Sequence, residues 1–323
     1  MNIVFVGRNP AAFMPGFAEL LDGSHSIAAV PDSSMSADEA RTFGAADVLI
    51  GLKLDATMPR PERLRLYHTP AAGTDGVERA RLPKGVPLCC CFGHEVSIAE
   101  YVMTALLLRE VPLPEADRDL RQGKWTYWAG TPTALRRELA ETTVGLVGFG
   151  HIGRAVAARA KAFGMRVHVA NRSPVAVSEQ VDRAWPLTEL PAMMGSVDAV
   201  VVSLPLLPET RGLVDARALA AMRDQAVVLN VGRGPVIDEQ ALFDALASRR
   251  ISAVIDTWYV YPTPEQPTPH PSRLPFHTLD NVILTPHMSG WTRGTIRRRQ
   301  QTMAGNIRRL ARDEPLKNVV HRG

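Results

Sequence analysis

Three polar residues with the chemistry of an anion-binding and acid–base site follow three short apolar runs in the second half of the chain. Arg233 follows "VVLN", Asp256 follows "SAVI", and His287 follows "VILTP". Such runs predict buried parallel strands, and the carboxyl ends of parallel strands open onto one crevice. We therefore expect a guanidinium that can hold an anion, a carboxylate, and an imidazole that can donate a proton to lie close together.

A glycine-rich segment precedes these residues in the chain. "GLVGFGHIGRAVAARA" places Gly148, Gly150 and Gly153 between a predicted strand and a predicted helix. The first glycine allows a tight turn, the second allows a pyrophosphate to approach the backbone, and the third allows close helix–strand packing. The backbone amides at the helix start, at His151 and Ile152, are expected to bind the anion. This context predicts a dinucleotide site rather than a purely structural turn.

The end of the next predicted strand indicates which dinucleotide is preferred. An acidic residue there would bind an adenosine ribose, but the chain has Asn171, followed by Arg172 and Ser173. Asparagine removes the charge that would repel a 2′-phosphate, while the guanidinium and the hydroxyl can bind one. We expect NADP to be preferred over NAD. The alternative is that Arg172 simply faces water.

The elements around these residues predict an α/β protein. The runs "NIVFV", "SIAAV", "DVLIG" and "LRLYHT" alternate with helical patterns over 13–21 and 36–43, and an amphipathic helix is expected from Ser97. A charged, proline-broken connection follows at 109–128. Six further buried strands then match the count of a doubly wound parallel sheet, the Rossmann fold. Residues 291–312 predict a helix that closes over the first domain, with arginines in solvent.

The composition of the chain argues against several classes of partner. The 323 residues carry 37 basic and 33 acidic side chains, interspersed, which argues against a nucleic-acid partner. Three adjacent cysteines, Cys89 to Cys91, exclude a disulfide framework and provide no metal-ligand spacing, so we expect no metal and a cytoplasmic location. No apolar run approaches the roughly 18 residues of a membrane span, so no membrane partner is expected.

The chain resembles the D-isomer-specific 2-hydroxyacid dehydrogenases along nearly its whole length. The matching pieces are "AAGTDGV", "SIAEYV", "VGLVGFGHIGRAVA", "VVSLPLLPETRGLV", "LNVGRGPVIDEQAL" and "LTPHMSG". The resemblance implies a Rossmann cofactor domain, 96–290, inserted in a flavodoxin-like substrate domain, 1–95 and 291–323. It also implies a homodimer formed through the segment near Trp125.

The resemblance also implies residue roles. Arg233 would anchor the carboxylate of a 2-oxo acid, and His287 would protonate its carbonyl as hydride arrives from the nicotinamide. Asp256 would lie near the nicotinamide. The substrate would meet Ala72, Gly73 and His94. Further cofactor contacts are expected at Leu204, Pro205, Thr210, Val231, Gly232, Ser289 and Gly290.

One position departs from the family pattern. The family usually has a glutamate, followed by proline, that orients the histidine; here the pair reads Tyr261-Pro262, with Glu265 as another possible partner. "DTWYVYPTP" is closer to formate dehydrogenases, but His94 stands where those enzymes have asparagine. The leading hypothesis is an NADP-preferring reductase of glyoxylate or hydroxypyruvate. The alternatives are a formate- or phosphite-like dehydrogenase and a nucleotide-sensing protein that has lost catalysis.

Overall fold

The computed structural model describes residues 1–263 and 265–322, and the chain forms two compact units. One unit comprises Met1–Gly93 and the chain from Thr292 onward; the other comprises His94–Trp291. The second unit is therefore a continuous insertion between the two parts of the first. Each unit has its own sheet and hydrophobic core.

The strands and helices follow one another along the chain with short connections. The strands are β1 (Asn2–Val6), β2 (Ser26–Val30), β3 (Val48–Gly51), β4 (Leu66–His68), β5 (Pro87–Cys89), β6 (Thr143–Val147), β7 (Arg166–Asn171), β8 (Arg183–Pro186), β9 (Ala199–Val202), β10 (Val227–Asn230), β11 (Ser252–Ile255), β12 (Val282–Leu284) and β13 (Val319–Arg322). The helices are α1 (Arg8–Ala11), α2 (Ala37–Gly44), α3 (Glu95–Glu110), α4 (Leu113–Arg121), α5 (His151–Ala162), α6 (Leu190–Met194), α7 (Ala216–Ala221), α8 (Glu239–Ala247) and α9 (Arg293–Ala311).

The sheet of the first unit has the order β13-β5-β4-β3-β1-β2. Its strands pair in parallel except for β13, which runs antiparallel to β5. Met303 and Ile307 of α9 are buried against one face, together with Phe5 and Phe17, whose rings meet edge to face. Helix α9 thus completes the core of the domain in which the chain begins, as predicted from its apolar stripe.

The sheet of the second unit has the order β12-β11-β10-β9-β6-β7-β8 and is parallel throughout. β6 lies between β7 and β9. From β6 the chain adds β7 and β8 towards one edge of the sheet, and it then adds β9 to β12 towards the other edge. This is the topological switch point at which doubly wound sheets bind their ligands. The predicted doubly wound fold is confirmed, with β8 as an added edge strand.

Three local predictions were wrong. Instead of the helix expected over 13–21, the chain forms a 3₁₀ turn at Ala18–Leu20, because Pro15 lacks an amide donor and Gly16 has a φ of 72°. The charged connection after α3 contains a helix, α4, with a proline in its first turn. The arginines of α9 are not all in solvent, since Arg299 is 9% exposed. Across the described chain, none of the helices has the length and apolar character needed to span a membrane.

Candidate active site

The glycine loop after β6 can hold a pyrophosphate. Gly148 has a φ of 100°, which favours glycine, and a Cβ on Gly153 would lie 2.3 Å from the Gly148 carbonyl oxygen. Gly150, the N-cap of α5, is different, because an added Cβ there would meet nothing within 4 Å. The open space beside Gly150, at the start of the helix that begins with His151 and Ile152, forms a cradle for an anion.

The turn after β7 is tied to the glycine loop through Asn171. Its carboxamide oxygen accepts a hydrogen bond from the Phe149 amide at 3.1 Å, and its nitrogen donates to the Ser173 carbonyl at 2.9 Å. Asn171 therefore braces the loop with both ends of its side chain. Arg172 is exposed, and its guanidinium lies 3.5 Å from Glu209, which is also exposed. An anion bound by Arg172 would have to compete with this carboxylate.

The segment after β9 faces the same loop. The Ser203 hydroxyl donates to the Gly148 carbonyl at 3.3 Å, and a Cβ on Gly148 would lie 2.8 Å from the Leu204 side chain. Thr210 is buried, and its hydroxyl donates to the Pro205 carbonyl at 2.7 Å, so it shapes the turn rather than reaching out of it. These contacts bring the two sides of the switch point together.

Arg233 follows β10 in a turn held by the strand's last residue. The Asn230 carboxamide donates to the Arg233 carbonyl at 3.1 Å and accepts from the Gly232 amide at 3.1 Å. Gly232 is required here because a Cβ would lie 2.6 Å from the Leu204 carbonyl oxygen. Val231 is buried beneath it. The Arg233 guanidinium donates to the Gly232 carbonyl at 2.9 Å, and a planar group of this kind can bind a carboxylate through two parallel hydrogen bonds.

The buried carboxylate of Asp256 organises the loop after β12. One oxygen accepts from the Thr285 hydroxyl at 2.7 Å and the Met288 amide at 2.8 Å; the other accepts from the amide of Ser289 at 3.0 Å and from its hydroxyl. All four donors come from the segment that carries His287. A charged acceptor with this many donors fixes the segment strongly. Asp256 therefore positions the histidine, whatever contact it makes with a cofactor.

His287 occupies a constrained position within this loop. Its φ is 57°, a left-handed conformation that a histidine adopts at a cost, and its side chain is exposed. Nδ1 lies 2.9 Å from the hydroxyl oxygen of Tyr261. Tyr261 is thus a side chain that contacts the ring of His287 at this nitrogen. Glu265 is exposed and, among the described residues, has no hydrogen bond or ion pair.

The surroundings of Tyr261 keep its phenol neutral. Burial raises its pKa, while the hydrogen bond donated by the Trp258 amide at 3.1 Å and the charge of Arg233 act in the opposite direction. Arg233 is therefore within electrostatic reach of the phenol that holds His287. With one lone pair taken by Trp258, the phenol oxygen can still accept from Nδ1–H or donate to bare Nδ1. The phenol can therefore orient the ring in its neutral and in its protonated form, but it cannot neutralise the positive charge of the protonated form.

The remaining predicted site residues lie in separate places. Ala72 and Gly73 belong to the first unit, in the loop after β4 that the Thr69 hydroxyl anchors by a 2.8 Å bond to the Ala71 carbonyl. His94 is the N-cap of α3 in the second unit. A Cβ on Gly290 would lie 3.4 Å from that of His94, so these two residues are close neighbours.

Three residues that support the site were not identified from the sequence. The Tyr101 hydroxyl lies 2.7 Å from that of Thr285, which in turn donates to Asp256, so the phenol is the donor of this pair. The Trp258 indole donates to the Thr285 carbonyl at 2.8 Å. Both contacts hold the start of the His287 loop. Their positions in the sequence could have suggested them, because Tyr101 lies in "SIAEYV" and Trp258 lies two residues after Asp256.

Comparison with known proteins identifies the family. The model of the D-isomer specific 2-hydroxyacid dehydrogenase NAD binding domain matches residues 103–289. The chain belongs to the D-isomer-specific 2-hydroxyacid dehydrogenase family. The predicted family and its nicotinamide dinucleotide cofactor are thereby confirmed, and the open cradle at Gly150 fits that group. When bound, the dinucleotide supplies or accepts a hydride.

Individual relatives agree on the family but not on one substrate. The chain is 31% identical over 290 residues to D-3-phosphoglycerate dehydrogenase of Methanocaldococcus jannaschii, covering 85% of this chain and 52% of that protein. It is 31% identical over 220 residues to human glyoxylate reductase/hydroxypyruvate reductase, covering 68% and 64%. This chain thus spans about half to two thirds of the length of these relatives.

A solved structure matches the whole fold. The D-isomer specific 2-hydroxyacid dehydrogenase from Xanthobacter autotrophicus Py2, in complex with NADPH and MES, is 30% identical, with a TM-score of 0.80. The match covers 99% of this chain and 97% of that chain.

Proposed function

We propose that this protein is an NADP-preferring reductase of a small 2-oxo acid, of the glyoxylate or hydroxypyruvate type. The observation that carries the proposal is the braced, exposed His287 beside a phenol within electrostatic reach of Arg233. An arginine can hold a carboxylate and polarise a neighbouring carbonyl, and the imidazolium can protonate the carbonyl oxygen as hydride is transferred. A protein that only binds a nucleotide needs neither residue.

The roles of the surrounding residues follow from their contacts. Asp256 fixes the loop of His287, while Tyr261 orients its ring. After the proton leaves Nε2, the remaining Nδ1–H can stay bonded to the phenol oxygen, so the ring does not have to move during turnover. His94 and Gly290, which are close neighbours, are proposed to contribute to the choice of oxo acid.

The NADP preference rests on the turn after β7. Arg172 and Ser173 are exposed there, and no acidic residue takes the position held by Asn171. The X. autotrophicus protein was solved with NADPH, which is consistent with this preference but belongs to that protein. Glu209 moderates it by holding the same guanidinium.

A second candidate is a dehydrogenase of a small anion such as formate or phosphite. The observation in its favour is the neutral partner of His287, because oxidation of formate to carbon dioxide releases no hydroxyl proton for the ring to accept. The His94 side chain beside Gly290 argues against it, since the formate enzymes have asparagine at that position.

One assay separates these candidates. Purified protein is tested with glyoxylate, hydroxypyruvate and other 2-oxo acids, and with formate and phosphite, each with both nicotinamide cofactors. We expect reduction of a small 2-oxo acid that is faster with NADPH. Oxidation of formate or phosphite without oxo-acid reduction would support the second candidate, and the absence of all turnover would contradict both.

We also propose that the protein is a cytoplasmic homodimer. Six large apolar side chains of α4 and of the segment that follows it are exposed to solvent: Leu113, Leu120, Trp125, Tyr127, Trp128 and Leu135. An apolar surface of this kind is typical of a subunit interface, and the family resemblance supports an interface near Trp125. The three buried cysteines suit a reducing compartment. Light scattering tests the dimer, and a monomer at micromolar concentration would contradict it.

A further inference from the structure

A cleft of about 570 Å³ lies along α9 in the first unit, outside the dinucleotide site. Its lining includes four arginines and one lysine but, among the described residues that line it, a single carboxylate, Glu314. The basic members are Arg298, Arg308, Arg309, Arg312 and Lys317. Like charges held together around one opening attract a counter-ion of high negative charge.

A second cleft, in the other unit, shows how basic residues are arranged when they serve a structural purpose. Its volume is about 580 Å³, and arginines line it as well. There, Arg137 pairs with Glu110 at 3.0 Å and with Asp198 at 3.0 Å, and Arg223 lies 3.5 Å from Asp198. The guanidinium groups are thus neutralised by nearby acids. In the α9 cleft, two of the five basic side chains, Arg309 and Arg312, pair with a carboxylate of the described residues.

Two guanidinium groups of the α9 cleft are held by carbonyl oxygens, whereas Arg312 pairs with Asp22 at 2.6 Å. Arg298 donates to the Gly93 carbonyl at 2.7 Å, and Arg308 donates to the Leu20 carbonyl. Arg309 donates to the Pro315 carbonyl at 3.2 Å as well as to Glu314 at 3.4 Å. Carbonyl groups orient these side chains without cancelling their charge. Since each guanidinium has five donors, several remain for an anion.

Lys317 adds a further positive charge to the lining of the cleft. Its amide donates to the Asn306 side chain at 2.9 Å, and its carbonyl accepts from the same side chain at 2.9 Å, so the backbone is fixed. The exposed ammonium group, in contrast, has no hydrogen bond or ion pair with any described residue. A fixed backbone that presents a free ammonium group is suited to binding an anion.

Gly305 keeps the floor of the cleft open. Glycine in the interior of a helix is unfavourable, and neither backbone nor packing requires it here. Its φ is not in the left-handed region, and a Cβ would meet only the Arg308 guanidinium, at 4.0 Å. A larger side chain at this position would project into the cleft between the basic residues.

From these contacts we propose that the α9 cleft binds a small multivalent oxyanion, a phosphorylated or polycarboxylate metabolite. The volume suits a compact ligand rather than a polymer, and the donors suit phosphate and carboxylate oxygens equally. Because the cleft is built from the first unit alone, it is separate from the glycine cradle of the second.

Isothermal titration of the whole protein tests the proposal, with inorganic pyrophosphate and citrate as probes. Saturating NADPH keeps the probes out of the dinucleotide cradle, and ionic strength is matched with sodium chloride. We expect one site per chain. Lys317→Gln should weaken binding about tenfold, the effect of losing a charge-assisted hydrogen bond. Lys84→Gln, an exposed lysine of the same unit, is the matched control and should change nothing.

A second pair of variants tests the floor of the cleft. Gly305→Glu should abolish binding, because its carboxylate would occupy the site, whereas Gly305→Ala should retain it. Tighter binding of pyrophosphate than citrate would indicate a phosphorylated ligand, and the reverse a polycarboxylate. The proposal is overturned if neither probe binds at low ionic strength, if Lys84→Gln weakens binding as much as Lys317→Gln, or if Gly305→Glu still binds normally.

Discussion

Replacing Tyr261 by glutamate restores the charge that the family usually places beside the histidine. A neutral phenol orients the ring of His287, but a carboxylate would also stabilise its protonated form. Reduction of an oxo acid needs that form, so the rate should persist to higher pH in the variant. We therefore expect Tyr261→Glu to move the descending limb of the pH–rate profile upward.

The size of the shift follows from the geometry. Tyr261 reaches Nδ1 at 2.9 Å, and the shorter glutamate would place its charge at about 4.5 Å. At that distance the attraction is about 0.9 kcal/mol in water and about 3.7 kcal/mol at an effective dielectric constant of about 20. These energies correspond to roughly 0.7 and 2.7 pH units. Because Tyr261 is 43% exposed, we expect about one unit, near the lower value.

The assay is the rate of NADPH-dependent oxo-acid reduction between pH 5 and pH 9. Tyr261→Gln is the matched control, since glutamine has the size of glutamate without its charge. The descending limb should move with glutamate and stay in place with glutamine. Coincident profiles for the two variants would refute the argument. If Glu265→Gln alone moved the limb downward, Glu265 would be the partner of the ring.

Three other predictions concern the cofactor and the stability of the fold. Arg172→Ala should weaken NADPH binding about tenfold and leave NADH unchanged, while Glu209→Gln should tighten NADPH binding; fluorescence titration decides, and equal effects on both cofactors would contradict it. Burial lowers the pKa of His68 to about 4 from 6.5, so the unfolded chain takes up a proton first and stability falls as pH drops through this window. The free energy of unfolding should decrease by about 2 kcal/mol between pH 7 and pH 5. His68→Gln replaces the titrating ring by a neutral side chain with a donor and an acceptor, and it should remove this decrease in urea titrations; an unchanged pH dependence would exclude His68 as its source. Gly305→Ala should raise the free energy of unfolding by about 1 kcal/mol, and a loss of stability would show that the glycine is needed for packing.

The sequence was sufficient for the fold class because its signals were local. Fully buried runs such as "TVGLV" in β6 predict parallel strands, and the glycines after β6 mark the switch point. β8 escaped prediction because an edge strand with one buried residue lacks the apolar run of the central strands. The prediction of a helix over 13–21 was wrong because it followed the helical spacing of Phe13 and Phe17 and did not account for Pro15. Their side chains are buried all the same.

The candidate site was predicted in its members but not in its contacts. Position relative to strand ends suggested Arg233, Asp256 and His287, and family spacing suggested Tyr261. The sequence could not show that Asp256 directs both oxygens to the His287 loop, because those bonds join segments about thirty residues apart. The support from Tyr101 through Thr285 depends in the same way on packing of a distant helix.

The central claim is that His287 supplies the proton for reduction of a 2-oxo acid. Its most direct test is the single-turnover rate of glyoxylate or hydroxypyruvate reduction by NADPH in the wild type and in His287→Asn, with NADPH affinity measured in both. We predict that the variant binds NADPH normally and reduces the oxo acid at least about 100-fold more slowly. An unimpaired single-turnover rate in the asparagine variant would contradict the claim.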